Sequence, residues 1–228
     1  MFCEPATGTE VMKIISNLSN NKSPGPDNIG PILLKLISGD IIVPLLFMFN
    51  LSLSTGEVPQ SLKNSKVTPL YKKGDKQIPG NYRLISLLSV FSKILEKLMF
   101  NRLYNFLQKH NTLYKYQFGF RKGYSTSLAL IELLLVPIGT GSIIRYSHRD
   151  MSDIVIGMYF DLQKAFDTVN HNILLYKLNN YGVRGVVLDW FRNYLSNRKQ
   201  YVCIGNCQSL LQNVNCGVPQ VCYVGGQL

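Results

Sequence analysis

Asp161 is the residue whose position in this sequence best suits catalysis. It lies near the end of an almost wholly apolar run, DIVIGMYFDL, which is typical of a short strand buried on both faces. An ionised carboxylate there is costly unless a cation, a hydrogen-bond network or water compensates it. Mg²⁺ is a suitable cation, because it takes one or two protein carboxylates and completes its shell with phosphate oxygens and water. The residues alone leave open the alternative that Asp161 bonds loop amides or caps the next turn.

Basic residues are concentrated in the middle of the chain. The formal net charge is +11, from 24 Lys and Arg against 13 Asp and Glu. The window from Lys63 to Lys122 holds thirteen basic and two acidic residues, whereas the rest of the chain is balanced. This pattern favours a nucleic-acid partner, because each neutralised phosphate releases counterions. A membrane surface or a plain solvated face is the alternative.

Length and composition indicate a protein with a hydrophobic core rather than a secreted or membrane-spanning one. With 228 residues, 46% of them hydrophobic, the chain is long enough to bury a core. The first twenty residues lack the continuous apolar core of a secretory signal. The most apolar run, residues 41–54, is too short to span a membrane and contains Pro44, so we predict a buried helix and no membrane contact. Five cysteines without paired C-x-x-C motifs favour free core thiols and an intracellular protein, nuclear or cytoplasmic.

Alternating helical and strand patterns must position Asp161 and the basic window. They predict a mixed α/β (α+β) fold with helices packed on a small sheet. The turn-rich segment 20–28 reads as a linker. The expected helix starts are Thr9, Pro31, Asn170, and either Ser125 or Thr126. An expected helix end is Gly182. The predicted helices cover residues 9–18, 31–38, 87–108, 125–136, 171–182 and 186–197. Strands are predicted over 65–73 and 153–162. A hairpin that turns at Gly205 and Asn206 is predicted over 199–216.

Four stretches, in order along the chain, resemble the reverse transcriptase domain of non-LTR retrotransposons. They are NNKSPGPDNI, VTPLYKKGDKQIPGNYRLISLLSVFSKILEKL, QFGFRKGYSTSLAL and YFDLQKAFDTVNH. Group II intron maturases share the palm pattern, but the KKGD and FGFRKG strings are more similar to the retrotransposon branch. The resemblance covers residues 20 to 220 and implies right-hand polymerase fingers followed by an incomplete palm. By this comparison residues 1–60 form a helical N-terminal segment, 61–150 basic fingers and 151–228 a partial palm.

The resemblance also implies roles for individual residues. Asp161 corresponds to the first metal-binding aspartate, with the backbone carbonyl of Leu162 as a second contact. Phe166 matches the aromatic gate beneath the incoming sugar, although core packing is the commoner role of such a residue. The implied cofactor is Mg²⁺, and the implied partners are an RNA template, a DNA primer and a dNTP. Arg83 matches the triphosphate clamp, and Lys72 or Lys73 its neighbouring cation, with contact to the template backbone as the alternative for the two lysines. Gln220 matches a nucleotide contact, and Arg121 and Lys122 match the nucleic-acid surface.

Two departures from the family pattern shape the expected activity. Leu84 replaces the usual proline after Arg83, and no double-aspartate motif follows GVPQ, residues 217–220. Two-metal phosphoryl transfer needs carboxylates from both palm motifs. We therefore expect a fragment that is inactive by itself. The alternatives are a non-catalytic RNA or RNA–DNA binding remnant and a group II intron maturase-like fragment.

Overall fold

The computed structural model describes residues 1–135, 160–162 and 164–219. The chain divides into two compact units, one formed by Met1–Thr112 with Phe166–Leu228 and the other by Leu113–Ala165. The described residues contain six helices and a small mixed sheet, which confirms the predicted fold class. The boundaries of these two units do not coincide with those of the predicted functional regions, 1–60, 61–150 and 151–228. The functional regions stay a prediction.

Two helices open the first unit. Helix α1, Gly8–Ser16, is capped by Thr7, whose hydroxyl accepts from the Glu10 amide. The predicted cap at Thr9 is therefore wrong by two residues, because the first helical turn already includes Thr9. Helix α2, Pro31–Thr55, begins with Pro31 as predicted and ends at Gly56, whose positive φ suits a left-handed cap.

Helix α2 joins the two helices predicted over 31–38 and 41–54 into one and continues through Pro44. One face packs against α1 and α6, whereas Leu36, Val43 and Phe47 are exposed on the other. The predicted buried helix is therefore wrong for this face. By length and composition alone α2 could cross a membrane, a criterion that core helices and signal sequences also meet. The expectation of no membrane contact stays a prediction.

The turn-rich segment 20–28 is packed onto the fold and is not a free linker. The Ser89 hydroxyl donates to the Asp27 carboxylate at 2.5 Å, and Ser89 also caps helix α3, Val90–Lys109. A Cβ added at Gly25 would lie 2.5 Å from the Leu88 carbonyl carbon and from the Ser89 nitrogen. The segment thus lies directly against the start of α3, a contact between residues more than sixty positions apart.

The sheet contains both parallel and antiparallel pairs. Strands β1, Asn64–Tyr71, and β2, Tyr82–Leu88, form an antiparallel hairpin, and β1 pairs in parallel with β3, Arg198–Ile204. Strands β4, Cys207–Gln208, and β5, Gln212–Val214, both pair antiparallel with β3. The predicted strand over 65–73 and the hairpin at Gly205 are confirmed. Periodicity alone missed β2, which has no clean alternation of buried and exposed residues.

Helices α3, α5 and α6 complete the first unit. Helix α5, His171–Asn180, starts after the Asn170 cap and ends before Gly182, and α6 covers Val186–Leu195. These three helices lie close to their predicted positions. Trp190 of α6 is fully buried, stacks on Tyr194 with ring centroids 5.2 Å apart and donates to the Ser52 hydroxyl of α2. The single tryptophan therefore joins α6 to α2 inside the core.

The described part of the second unit contains α4, Thr126–Leu135. Ser125 caps it through a bond from the Leu128 amide, as predicted. Most of the predicted strand 153–162 lies outside the described residues. Its last three residues are irregular, and the side chains of Phe160 and Leu162 are 87% and 77% exposed. The predicted burial on both faces is therefore wrong at these two positions.

Candidate nucleic-acid interface

The loop between β1 and β2 is basic and internally ordered. Lys72, at its start, donates its amide to the Asn81 carbonyl at 2.9 Å, and the Asn81 side chain donates to the Asp75 carbonyl at 2.8 Å. Gly74 has φ +95°, and a Cβ there would lie 2.7 Å from the Asn81 side chain. Lys72 and Lys73 are both exposed on this loop. The backbone is thus held before any ligand arrives, so little ordering entropy is lost on binding.

Arg83 lies on the exposed face of the same hairpin. It pairs with Leu70 across the two strands, whereas the buried Val67 pairs with Ser86. Because successive side chains alternate between faces, Arg83 points away from the core that contains Val67. The structure therefore brings Arg83, Lys72 and Lys73 onto one hairpin. Leu84 continues the strand where the family has proline, and its side chain is exposed.

Asp161 and Leu162 lie in an exposed, irregular segment of the second unit. A carboxylate and a neighbouring backbone carbonyl are hard oxygen ligands, which suit Mg²⁺. Within the described ranges, no group of three or more His, Cys, Asp or Glu side chains is placed to hold a metal ion. Asp161 and Leu162 therefore fit part of a magnesium site, and other groups would have to supply the remaining oxygen ligands.

The turn that contains Phe166 is clamped to the start of GVPQ. The Val218 amide donates to the Phe166 carbonyl, and the Gly217 amide donates to the Val169 carbonyl, both at 2.8 Å. Gly217 has φ +81°, and a Cβ there would lie 2.9 Å from the Phe166 oxygen. The segments are about fifty residues apart in sequence, and only glycine allows this approach. Phe166 is half-buried, and its role as the aromatic gate stays a prediction.

His171 strengthens the same clamp. Its Nε2 atom lies 2.7 Å from the Gly217 carbonyl oxygen, which can only accept, so this nitrogen carries the proton. His171 is the first residue of α5 and is thus held in place by the Asn170 cap. The residue thus acts as a local hydrogen-bonding group within the clamp. Gln220 lies outside the described residues.

Arg121 and Lys122 lie in a loop of the second unit, before α4. The Arg121 guanidinium donates to the Tyr114 carbonyl at 3.1 Å and covers the Tyr124 ring at 4.1 Å from its centroid. Arg121 thus holds the loop's own backbone, while Lys122 is exposed. Their predicted contact with nucleic acid stays a prediction.

A buried polar cluster was missed by the sequence interpretation. Arg198 is 2% exposed and donates to the Tyr194 carbonyl at 3.2 Å, and the Tyr194 hydroxyl donates to Glu96 at 2.6 Å. Lys63 is 4% exposed near them. Burial lowers the pKa of Lys63, and Arg198 lowers it further, while Glu57 opposes the change. No sequence pattern marks these residues, because Lys63 and Arg198 look like ordinary members of the basic surface.

The cysteines are less buried than predicted. Cys203 is in the core, but Cys207 and Cys216 are exposed and Cys3 is half-buried. Free core thiols are therefore confirmed for Cys203 and wrong for Cys207 and Cys216. Cys207 lies on the short strand β4, both residues of which are exposed, and Cys216 lies in the bend that follows β5. Cys222 lies outside the described residues.

The described residues thus combine a mixed α/β unit, an ordered basic hairpin and a clamped turn at Phe166. Residues 70–227 match the profile of the family described as "Reverse transcriptase (RNA-dependent DNA polymerase)". The chain belongs to the reverse transcriptase family.

The relatives place it within the non-LTR retrotransposon branch. The chain is 31% identical over 97% of its length to the "Probable RNA-directed DNA polymerase from transposon BS" of Drosophila melanogaster. It is 27% identical over 99% of its length to the "RNA-directed DNA polymerase from mobile element jockey" of Drosophila funebris. In each case the matched region spans 24% of the relative, so the chain corresponds to about a quarter of those proteins.

Proposed function

We propose that these residues form the fingers and first palm segment of an intracellular RNA-directed DNA polymerase and contact an RNA template, a DNA primer and a dNTP. The observation that carries the proposal is the ordered basic hairpin, on which Lys72, Lys73 and Arg83 are exposed together. A guanidinium binds phosphate oxygens in a bidentate manner, and lysines add compact positive charge nearby. The hairpin therefore suits a triphosphate or a polynucleotide backbone.

The palm residues take complementary roles in this proposal. Reverse transcriptases are metal-dependent as a family. Asp161 and the Leu162 carbonyl would hold Mg²⁺, which when bound neutralises charge on the transferring phosphate. Phe166 would lie beneath the sugar of the incoming nucleotide and exclude a 2′-hydroxyl by size. The backbone clamp at Gly217 would hold the turn that carries this gate, and Gln220 would contact the nucleotide.

Synthesis by the 228 residues alone is not expected. The sequence contains no Asp-Asp pair, and one palm aspartate cannot hold two ions about 4 Å apart. The segment would thus bind substrates without completing the reaction. Primer extension with Mg²⁺ should give no product, and templated extension by this chain would contradict the proposed lack of activity.

Binding of a labelled RNA–DNA template-primer over a range of salt concentrations tests the interface. Each phosphate contact that is lost lowers the slope of log affinity against log salt by roughly 0.7 to 0.9. Changing Lys72, Lys73 and Arg83 to Ala should therefore weaken binding and lower the slope by about 2. Changing Lys13, Lys22 and Arg184 to Ala removes the same charge from exposed sites elsewhere and is the matched control.

Two outcomes would refute the interface. The first is equal loss of affinity in both triple variants, which would mean that only net charge matters. The second is wild-type binding that does not respond to salt, because contacts to phosphate are necessarily salt-dependent.

A further inference from the structure

Helix α2 has an apolar face that the described residues leave uncovered. Six side chains on one side of the helix are about half exposed or more, and we name them the outer face: Ile32, Leu33, Leu36, Val43, Phe47 and Leu51. The buried Leu34, Leu45 and Phe49 lie on the opposite side, and α2 packs on α1 and α6. The outer face is thus the solvent side of a helix that the core already holds in place.

The outer face is larger than the apolar patches that monomers ordinarily expose. Leu36, Val43 and Phe47 are 77%, 74% and 70% exposed. The six residues together expose about 700 Å² of largely apolar surface, whereas the largest patch of a typical monomer is about 300 to 600 Å². Two copies paired through this face would bury about 1,200 to 1,400 Å² in total, which reaches the range of stable protein interfaces.

The chemistry around the outer face suits an apolar protein surface better than a membrane. The sequence contains no Lys or Arg between Lys35 and Lys63, and the half-buried Lys35 donates to the Asn20 side chain. A helix that lies on a membrane surface is typically rich in Lys and Arg on its polar face. A helix that crosses a membrane would have to leave the core, whereas the buried Trp190 donates to the Ser52 hydroxyl of α2.

The outer face is complementary to itself when two α2 helices run antiparallel. Pairing about the middle of the helix, between residues 41 and 42, places residues at equal distances from that point opposite each other. Leu36 of one copy then lies opposite Phe47 of the other, and Val43 lies near the centre. Gly39 has open space around it, so two helices can approach closely there.

A cavity at one end of the outer face fits a side chain from the other end. The cavity measures about 300 Å³, and Phe47, Leu51 and Pro5 are among its lining residues. The same antiparallel pairing places Ile32 of a second copy opposite Leu51. Ile32 is 56% exposed on its own chain, so it is free to enter this cavity. The two-fold symmetry repeats the contact at both ends of the helix pair.

We infer that the outer face of α2 is the interface of a symmetric, antiparallel dimer of this chain. The exposed Asp40 weakens the dimer, because the two carboxylates lie near the two-fold axis and repel each other. The dimer should therefore form at roughly micromolar concentrations. The interface uses none of the hairpin residues Lys72, Lys73 and Arg83, so it goes beyond the proposed function and is independent of it.

Sedimentation velocity of the 228-residue chain, freed of nucleic acid, measures self-association over a range of protein concentrations. The wild type should pass from monomer to dimer without larger species, because an isologous interface closes on itself. Leu36→Lys and Phe47→Glu, tested separately, should each weaken dimerisation about a hundredfold or more, because each places two unpaired charges in the interface. Both side chains are exposed, and urea unfolding followed by Trp190 fluorescence checks that each variant is folded.

A mixture of the two variants tests the antiparallel pairing. Equal amounts of the Leu36→Lys and Phe47→Glu chains should recover the dimer, because the introduced ammonium then lies opposite the introduced carboxylate. Asp40→Asn should tighten the wild-type dimer about threefold to tenfold, because it removes the repulsion near the axis. Leu210→Lys is the matched control: this leucine is 81% exposed outside α2, and its substitution should leave dimerisation unchanged.

Four results would overturn the inference. The first is a wild-type chain that stays monomeric at all concentrations. The second is an equal loss of association in Leu36→Lys and Leu210→Lys, which would indicate non-specific aggregation. The third is a mixture of the charged variants that does not dimerise. The fourth is flotation of a monomeric wild type with neutral or anionic lipid vesicles that Phe47→Glu abolishes, which would assign the outer face to a membrane.

Discussion

Replacing Gly217 by Ala should destabilise the first unit strongly, because two separate costs combine at this residue. The first cost is conformational: a side chain at φ +81° loses about 1 to 2 kcal/mol relative to glycine. The second is steric: the new Cβ would lie 2.8 Å from the Asp167 oxygen and 2.9 Å from the Phe166 oxygen. Both atoms are backbone, so relief requires the turn to move.

Movement of that turn removes identifiable hydrogen bonds. The Val218 amide to the Phe166 carbonyl, the Gly217 amide to the Val169 carbonyl, and the His171 contact to the Gly217 carbonyl all lie within the clamp. Each contributes about 1 kcal/mol. Loss of one or two, added to the conformational cost, gives a destabilisation of about 2 to 4 kcal/mol.

Gly205→Ala is the matched control for this prediction. Gly205 has φ +58°, but a Cβ there would meet nothing within 4 Å. Its substitution should therefore show only the conformational cost of about 1 to 2 kcal/mol. The difference between the two variants isolates the steric clamp.

Urea unfolding followed by Trp190 fluorescence measures both variants. Trp190 is fully buried in the first unit, and the chain has no other tryptophan. With a slope of about 2 kcal/mol per molar urea, the Gly217→Ala midpoint should fall by about 1 to 2 M. A Gly217→Ala variant no less stable than Gly205→Ala would refute the clamp.

Two further predictions concern packing and buried charge. Gly25→Ala should lower the free energy of unfolding by about 2 to 3 kcal/mol in the same assay, because its Cβ would meet backbone atoms at 2.5 Å. The control is Gly39→Ala, in open space within a helix, which should be neutral or stabilising by up to about 1 kcal/mol. Equal effects of the two substitutions would show that segment 20–28 is not packed as described. Lys63→Met should be at least as stable as the wild type at neutral pH, because it removes a buried charge near Arg198. The pKa of Lys63 is lower in the folded state, so the unfolded chain binds more protons as the pH approaches the ordinary lysine value. Wild-type stability should therefore rise with pH in that range, and the Lys63→Met variant should lack this rise. An equal pH dependence of urea unfolding in the two proteins would contradict the prediction.

Much of the fold could be predicted because the signals are local. Helices α3, α5 and α6 follow from apolar periodicity and from caps such as Asn170, and the β3–β4 turn follows from Gly205. The family followed from the order of four motifs. Strand β2 was not recognised from its periodicity, because tertiary packing rather than alternation decides its burial.

The sequence by itself determined the family, the concentration of positive charge, and the residue types that suit metal and phosphate binding. These follow from composition and from the order of motifs, which need no three-dimensional contacts. Only the tertiary structure decided that Gly25 packs against the start of α3, that Gly217 and His171 clamp the Phe166 turn, and that Lys63 and Arg198 are buried. Each of these depends on atoms brought together from distant parts of the chain, and close approach at one backbone position leaves no periodic pattern in the sequence.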